Sequence, residues 1–146
     1  MDELSQKIKQ CKNPSGEQGK LVADSMNESH YALTTWGMEN FSILPDSIIL
    51  DVGCGGGRTI HRMAEIASRG KVFGIDYSPD CVAWSSAYNA KWIKEGRVEI
   101  LPADVNELPF KDNFFDIVTA VETVYFWPDL GECFKEIKRV LKPAGK

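Results

Sequence analysis

ILDVGCGGGRTIHRMA, residues 49–64, is the stretch that decides the fold. An apolar run meets an acid, four glycines follow within five residues, and a helical pattern begins after them. Each glycine costs conformational entropy on folding and has no side chain to pack. Close approach of the backbone to a ligand is the usual reason for such a loop, so this stretch predicts a binding site.

Strand and helix patterns alternate along the chain around this loop. Four apolar runs are predicted strands: residues 48–52, 71–76, 97–101 and 114–121. Helical patterns follow the glycine loop, the cap at Ser78, and Pro128. This alternation predicts an α/β fold in which an open parallel sheet carries helices on both faces.

The N-terminal segment has a weaker pattern. Residues 1–24 are polar and turn-rich, so we predict a polar arm or partly ordered leader before a domain over residues 25–146. Ser25 followed by Glu28 fits a capping box, which predicts one helix from Ser25 to about Asn40.

Size and composition are those of one ordinary globular domain. The 146 residues carry a net charge of −4, which gives no general attraction to nucleic acid or to an anionic membrane. The four cysteines form no C-x-x-C pair, so neither a metal site nor a disulfide framework is predicted. The chain start lacks a signal-peptide core, and no run approaches the ~20 apolar residues that span a bilayer. We therefore expect a cytoplasmic protein.

Three kinds of ligand compete for the glycine loop, which lies beyond the carboxyl ends of the predicted strands. A phosphate-loop site is excluded because no Gly-Lys-Ser or Gly-Lys-Thr occurs. A dinucleotide site is weakened, because Arg58 or Ile60 stands where G-x-G-x-x-G needs a small residue. Asp51 before the loop and Asp76 at the end of the second strand instead suit a nucleoside that carries a cationic amino-acid tail.

Five segments in order resemble class I S-adenosylmethionine-dependent methyltransferases of the small-molecule type, similar to the ubiquinone/menaquinone biosynthesis group. They are ILDVGCGGG, GIDYSPD, ADVNELPF, NFFDIVTA and VLKPAG, spread over roughly residues 45–145. The resemblance implies a Rossmann-like fold, S-adenosyl-L-methionine as the cofactor, and methyl transfer to a small-molecule acceptor.

The resemblance also implies roles for residues around the glycine loop. Gly53 and Gly55 would approach the methionine part of the cofactor, and Asp51 would lie beside its ammonium group. Asp76 would hold the ribose hydroxyls, with Tyr77 against the adenine.

Further roles fall beyond the third and fourth strands. Asp104 would accept a hydrogen bond from the adenine amino group, and Val105 would cover a face of the ring. Glu122 would face the place where the methyl group is presented. If the acceptor must lose a proton, the candidate general bases are Glu122, His30 and, as a third choice, Tyr31.

A group of aromatic residues has two interpretations. These side chains either line an apolar acceptor pocket or belong to the core: Trp36, Tyr125, Phe126 and Trp127.

The chain departs from the family after VLKPAG. The family's sheet normally has seven strands, so we expect a sheet that lacks its last strands. The fourth strand would then be an open edge, which predicts either pairing with a second copy or a fragment of a longer protein. Two alternatives to an active methyltransferase stay open: a truncated S-adenosylmethionine-binding module without activity, and a nicotinamide-dependent oxidoreductase.

Overall fold

One parallel sheet organises the protein in the computed structural model, which describes residues 2–146. Its strands are β1 (Ile48–Val52), β2 (Lys71–Asp76), β3 (Val98–Pro102) and β4 (Ile117–Thr119). The α-helices are α1 (Glu3–Lys12), α2 (Gly16–Ser29), α3 (Tyr31–Glu39), α4 (Arg58–Ile66), α5 (Pro79–Tyr88), α6 (Ala90–Lys94) and α7 (Leu130–Val140), with a 3-10 helix at Val124–Phe126. Over these residues, no helix combines the length and apolarity that crossing a membrane requires.

The strand order is β3-β2-β1-β4, and every neighbouring pair is parallel. The chain therefore builds outward from β1 on one side and then crosses to place β4 on the other. Ligands of such sheets bind at this reversal, beyond the carboxyl ends of the central strands. The predicted fold class, a Rossmann-like sheet with helices on both faces, is confirmed.

The core consists of two layers, one on each face of the sheet. Ile49 and Val72 point to the layer that contains Met63 of α4. Their strand neighbours Leu50 and Phe73 point to the layer that contains α7. Because successive strand residues alternate between faces, the apolar runs of β1 and β2 supply both layers.

The N-terminal segment is helical, so the predicted arm and the predicted helix start at Ser25 are wrong. The boundary expected after residue 24 falls inside α2. Two contacts across the molecule explain where α2 begins. The hydroxyl of Ser78 donates to the carbonyl of Pro14 at 2.6 Å, and the amide of Gly16 donates to the carboxylate of Asp80 at 2.8 Å.

Two predicted helices are each broken in the middle. His30 separates α2 from α3, so the single helix expected over residues 25–40 is wrong. Asn89 separates α5 from α6. The buried Asn89 amide donates to the carbonyls of Gly57 and Ser85, each at 2.9 Å, and so ties the helix break to the glycine loop.

The fourth strand is shorter than predicted, and its outer edge is not wholly open. The amide of Val118 donates to the carbonyl of Lys146 at 2.8 Å, and the amide of Lys146 donates to the carbonyl of Asp116 at 2.9 Å. These two bonds have the parallel pattern. The expected open edge is therefore partly occupied by this chain's own backbone.

Candidate functional site

A cavity of about 540 Å³ lies at the carboxyl edge of the sheet, under the N-terminal helices. Its volume is within the ~300–1,000 Å³ range of small-molecule sites. The structure brings nine of the residues predicted for the site to this cavity: His30, Asp51, Gly53, Gly55, Asp76, Tyr77, Asp104, Val105 and Glu122. Tyr31, the third candidate base, does not line it and packs against Arg58 and Arg62 instead. The helices α1 and α2, predicted to be largely an arm, supply part of its wall.

Asp51 is a buried carboxylate in β1, with only 2% of its surface exposed. The strand register places Thr119 opposite it, and the Thr119 hydroxyl donates to its Oδ1 at 2.6 Å. Burial raises the pKa of Asp51 to about 7, the bond from Thr119 opposes that rise, and the charge of Asp76 adds to it. A bound cation would favour the ionised form of Asp51, so the residue fits an ammonium group.

Asp76, at the end of β2, holds the glycine loop in place. Its Oδ2 accepts from the amide of Gly55 and its Oδ1 from the amide of Ser78, each at 2.9 Å. Burial raises the pKa of Asp76, and these amide bonds act in the opposite direction. A carboxylate has about four acceptor sites, so two amides leave capacity for the hydroxyls of a ribose.

The two glycines predicted to approach a ligand differ in what they face. A Cβ on Gly53 would collide with Thr123, so this chain's own packing already requires glycine there. Gly55 has a φ of +51°, and a Cβ built on it would meet nothing within 4 Å. Gly55 is therefore the position at which bare backbone faces the cavity.

The residues expected around an adenine ring form one wall of the cavity. Val105 is buried, whereas Tyr77 is 71% exposed. Asp104 accepts from the amide of Asn106 at 2.9 Å through Oδ1. Its Oδ2 takes no part in that bond. Contact of these residues with an adenine stays a prediction.

Glu122 lies where the cavity meets the end of β4. Its φ of +52° is unusual for a residue with a side chain. The Tyr125 hydroxyl donates to its Oε2 at 2.7 Å. Partial burial, the accepting carboxylate and its charge raise the pKa of Tyr125 to about 12, so the phenol stays protonated as the donor. His30 lines the same cavity from the α2–α3 junction, and either residue as a general base stays a prediction.

The four aromatic residues do not share one role. Phe126 and Trp127 line the cavity, and Trp127 also packs against the core layer that contains α7. Trp36 and Tyr125 are each 65% exposed and so do not belong to the core.

Sequence reasoning missed three polar residues that shape the site. Thr119 bonds to Asp51, Asn89 bonds to the loop carbonyl of Gly57, and the side chain of Asn27 lies where a Cβ on Gly56 would be. Thr119 could have been noticed as a polar residue within an apolar strand. That it pairs with Asp51, however, follows only from the register of β1 and β4. Asn27 and Asn89 carry no motif that would have identified them.

The model of the family described as "Methyltransferase domain" matches residues 50–146. The chain belongs to that family.

Relatives of this methyltransferase domain include three proteins that are named as methyltransferases. A sterol 4-C-methyltransferase of Caenorhabditis elegans is 28% identical over 133 residues, covering 91% of this chain and 38% of that protein. A cycloartenol-C-24-methyltransferase of Oryza sativa subsp. japonica is 36% identical over 126 residues, covering 86% and 35%. A demethylmenaquinone methyltransferase of Bacillus mycoides is 33% identical over 120 residues, covering 82% and 50%. The chain thus spans half or less of the length of these relatives.

Solved structures agree with the fold. An Aquifex aeolicus SAM-dependent methyltransferase has a TM-score of 0.69 at 26% identity, covering 75% of this chain and 58% of that one. A Methanococcus maripaludis protein described as a putative S-adenosyl-L-methionine-dependent methyltransferase has a TM-score of 0.72 at 26% identity, covering 84% and 59%. A [4+2]-cyclase has a TM-score of 0.69 at 30% identity, covering 77% and 41%.

These findings decide between the cofactors considered from the sequence. The family and its solved members imply S-adenosyl-L-methionine as the cofactor. The nicotinamide-dependent oxidoreductase finds no support among them.

Proposed function

We propose that this protein transfers a methyl group from S-adenosyl-L-methionine to a neutral, largely apolar small molecule. The observation that carries the proposal is the meeting of Asp51 and Asp76, from adjacent parallel strands, at one glycine loop in one cavity. Two carboxylates suit a ligand with a cationic tail and a ribose diol, and they disfavour a diphosphate.

Different residues of the cavity would bind different parts of the cofactor. Asp51 would hold the ammonium group, Asp76 the ribose hydroxyls, and Gly55 would let the backbone lie against the methionine part. Asp104 and Val105 would receive the adenine, with Tyr77 at the open side. When bound, S-adenosylmethionine supplies a methyl group on a sulfonium, which is an activated leaving group. The protein's main task is then to align the acceptor, an effect worth about 7–11 kcal/mol in favourable cases.

Glu122 is the better placed of the two candidate bases. Its carboxylate is held by the Tyr125 hydroxyl at the junction of the cavity and β4. If the acceptor is a hydroxyl or an acidic carbon, Glu122 would take its proton. His30 is the second candidate, because it lines the same cavity.

The relatives' names support the acceptor class. Three relatives are named for sterol, cycloartenol and demethylmenaquinone methylation, all of them apolar acceptors. The net charge of −4 favours such a molecule over nucleic acid. A cytoplasmic location agrees with four cysteines that are all free.

A second candidate function is a cofactor-binding module that transfers no methyl group. The [4+2]-cyclase favours it, because a chain 30% identical to this one carries the name of a different reaction. A methyl-transfer assay with labelled cofactor and a panel of apolar acceptors separates the two functions, since both require the cofactor to bind.

The test of the cofactor site is calorimetric titration with S-adenosylhomocysteine. We expect Asp76→Asn to weaken binding by about tenfold or more, since an amide loses charge-assisted bonds to the ribose. Asp46→Asn, an exposed acid outside the cavity, should leave binding unchanged. Unchanged affinity in the Asp76 variant, or stabilisation of the protein by NADH but not by S-adenosylhomocysteine, would overturn the assignment.

Self-association through β4 stays a prediction. Lys146 already bonds two backbone groups of that edge, which leaves less of it for a second copy. Sedimentation at several protein concentrations tests the idea, and a monomer at all of them contradicts it.

A further inference from the structure

A second, smaller space adjoins the cofactor cavity. It is a groove of about 240 Å³ between α3 and the carboxyl end of β4, and we refer to it as the α3 groove. One wall consists of apolar side chains from α3 and the turn after it: Leu33, Trp36, Met38 and Phe41. Ala120 and Val121, directly after β4, form the other wall.

The α3 groove lies directly beside the cofactor cavity. The two spaces share four lining residues: Thr34, Thr59, Val121 and Glu122. A molecule in the groove would therefore have one end beside Glu122, which also lines the cavity. Met38 and Phe41 of this wall also pack against the core, so the core holds this part of the groove in place.

The chemistry of the groove lining selects for a neutral apolar ligand. Trp36 is 65% exposed and Leu33 is 41% exposed, so two large apolar side chains stay uncovered at its mouth. Glu122, at the junction, is the one ionisable side chain in the lining, among the residues 2–146 that the structure describes. A lining without cations gives a phosphate or carboxylate group no partner.

Gly37 provides an independent indication that the groove is kept open. This glycine lies inside α3, where it destabilises the helix relative to alanine. A Cβ built on it would meet nothing within 4 Å, so the packing of the described residues does not require glycine here. Gly37 lines the groove, and a side chain at this position would occupy the groove.

We propose that the α3 groove binds the apolar body of the methyl acceptor, with Gly37 leaving room for it and Trp36 covering it. This proposal rests on the proposed function, because it assigns the groove to the acceptor of that reaction. The lining that the groove shares with the cofactor cavity, Glu122 included, is what favours an acceptor over another occupant.

The test measures acceptor binding separately from cofactor binding. The probes are cycloartenol and a demethylmenaquinone with a short isoprenoid chain, titrated into the full chain saturated with S-adenosylhomocysteine. Gly37→Leu should weaken binding of the probe that the wild type prefers by about tenfold or more, as overfilling an apolar site does. The affinity of the Gly37→Leu variant for S-adenosylhomocysteine should equal that of the wild type, and this binding also shows that the variant is folded.

The matched control adds the same side chain to the same helix. Ala32→Leu lies on an exposed position of α3 outside both spaces, so it should bind the probes as the wild type does. Trp36→Ala is the complementary variant, because it removes the cover instead of filling the groove. It should also weaken probe binding by about tenfold, the scale at which buried aromatic contacts contribute to interfaces.

The outcomes separate the two proposals. If the wild type binds S-adenosylhomocysteine but neither probe, or if Gly37→Leu binds the probes normally, the groove assignment is wrong. If Trp36→Ala changes the oligomeric state and not probe affinity, the groove is instead an interface between copies. If the wild type does not bind S-adenosylhomocysteine, the proposed function itself fails.

Discussion

Replacing Asp51 by asparagine should make the ligand-free protein more stable and less able to bind its cofactor. Asp51 is 2% exposed, and burial raises its pKa from 3.8 to about 7. Asparagine has nearly the same shape, and its carbonyl oxygen can accept the bond that the Thr119 hydroxyl donates to Asp51. The substitution therefore removes a buried charge while the packing around it changes little.

The size and sign of the effect follow from the pKa shift. Because the folded-state pKa is raised, the folded protein binds more protons than the unfolded chain between about pH 4 and pH 7. The contribution of Asp51 to stability therefore falls as pH rises through that window. At 1.36 kcal/mol for each pKa unit, the rise from 3.8 to about 7 corresponds to roughly 4 kcal/mol lost above pH 7. Asp51→Asn should recover a large part of this at pH 8 and little of it near pH 4.

Urea unfolding followed by tryptophan fluorescence at several pH values between 4 and 8 measures the difference. Asp116→Asn is the control of opposite sign. Burial alone would raise the pKa of Asp116, but bonds from the Lys142 ammonium and the Ile48 amide hold this pKa below its ordinary value. Because this pKa lies below the unfolded value of 3.8, the contribution of Asp116 is complete above about pH 4. Asp116→Asn should therefore be less stable than the wild type by a nearly constant amount from pH 4 to pH 8. If the advantage of Asp51→Asn does not grow between pH 4 and pH 8, the buried carboxylate is not a destabilising charge.

Three further substitutions test other parts of the site. Gly55→Val places a side chain in the open space that faces the cavity, so calorimetry should show S-adenosylhomocysteine binding weakened at least about tenfold. The left-handed backbone at this position should also cost the variant about 1–3 kcal/mol of stability. Unchanged binding would contradict the close approach of the backbone to the cofactor. Gly74→Val collides with a side chain of α4, so urea unfolding should show a loss of about 1–3 kcal/mol. Tyr31→Ala removes a ring whose centroid lies 4.6 Å from the Arg58 guanidinium and 4.3 Å from the Arg62 guanidinium. Loss of these cation–π contacts should accelerate hydrogen exchange in α2 and α3. Equal exchange in the variant and the wild type would mean that the contacts do not hold the helices in place.

The central part of the fold could be predicted because its signals are local in the sequence. One βαβ unit contains the apolar run before the loop, the glycines and Asp76, so the sequence pattern predicted their order and the point where they meet. The Ser78 cap was equally local, and the hydroxyl accepts from the amide of Cys81 as a cap does.

The N-terminal helices could not be predicted because their positions depend on distant contacts. Pro14 and Gly16 are fixed by Ser78 and Asp80, which lie 64 residues further along the chain. The composition of residues 1–24 looked like an arm because few of its side chains are apolar. The buried positions of α2 are small, namely Gly19 and Ala23, and small residues give a weak periodic signal.

The glycines of the loop serve this chain's own packing as well as a ligand. The sequence attributed the loop's glycines to a ligand, but at three of the four a Cβ would collide with this chain's own side chains. Their partners are Thr123 for Gly53, Asn27 for Gly56, and Ser85 with Asn89 for Gly57. Gly55 alone faces open space in the cavity. In this chain the glycines therefore relieve crowding against Thr123, α2 and the end of α5, and Gly55 is the one position that the packing leaves free for a ligand. Asn89, which lies against Gly57 and outside the lining of the cavity, should accordingly affect cofactor affinity through the shape of the loop without touching the cofactor.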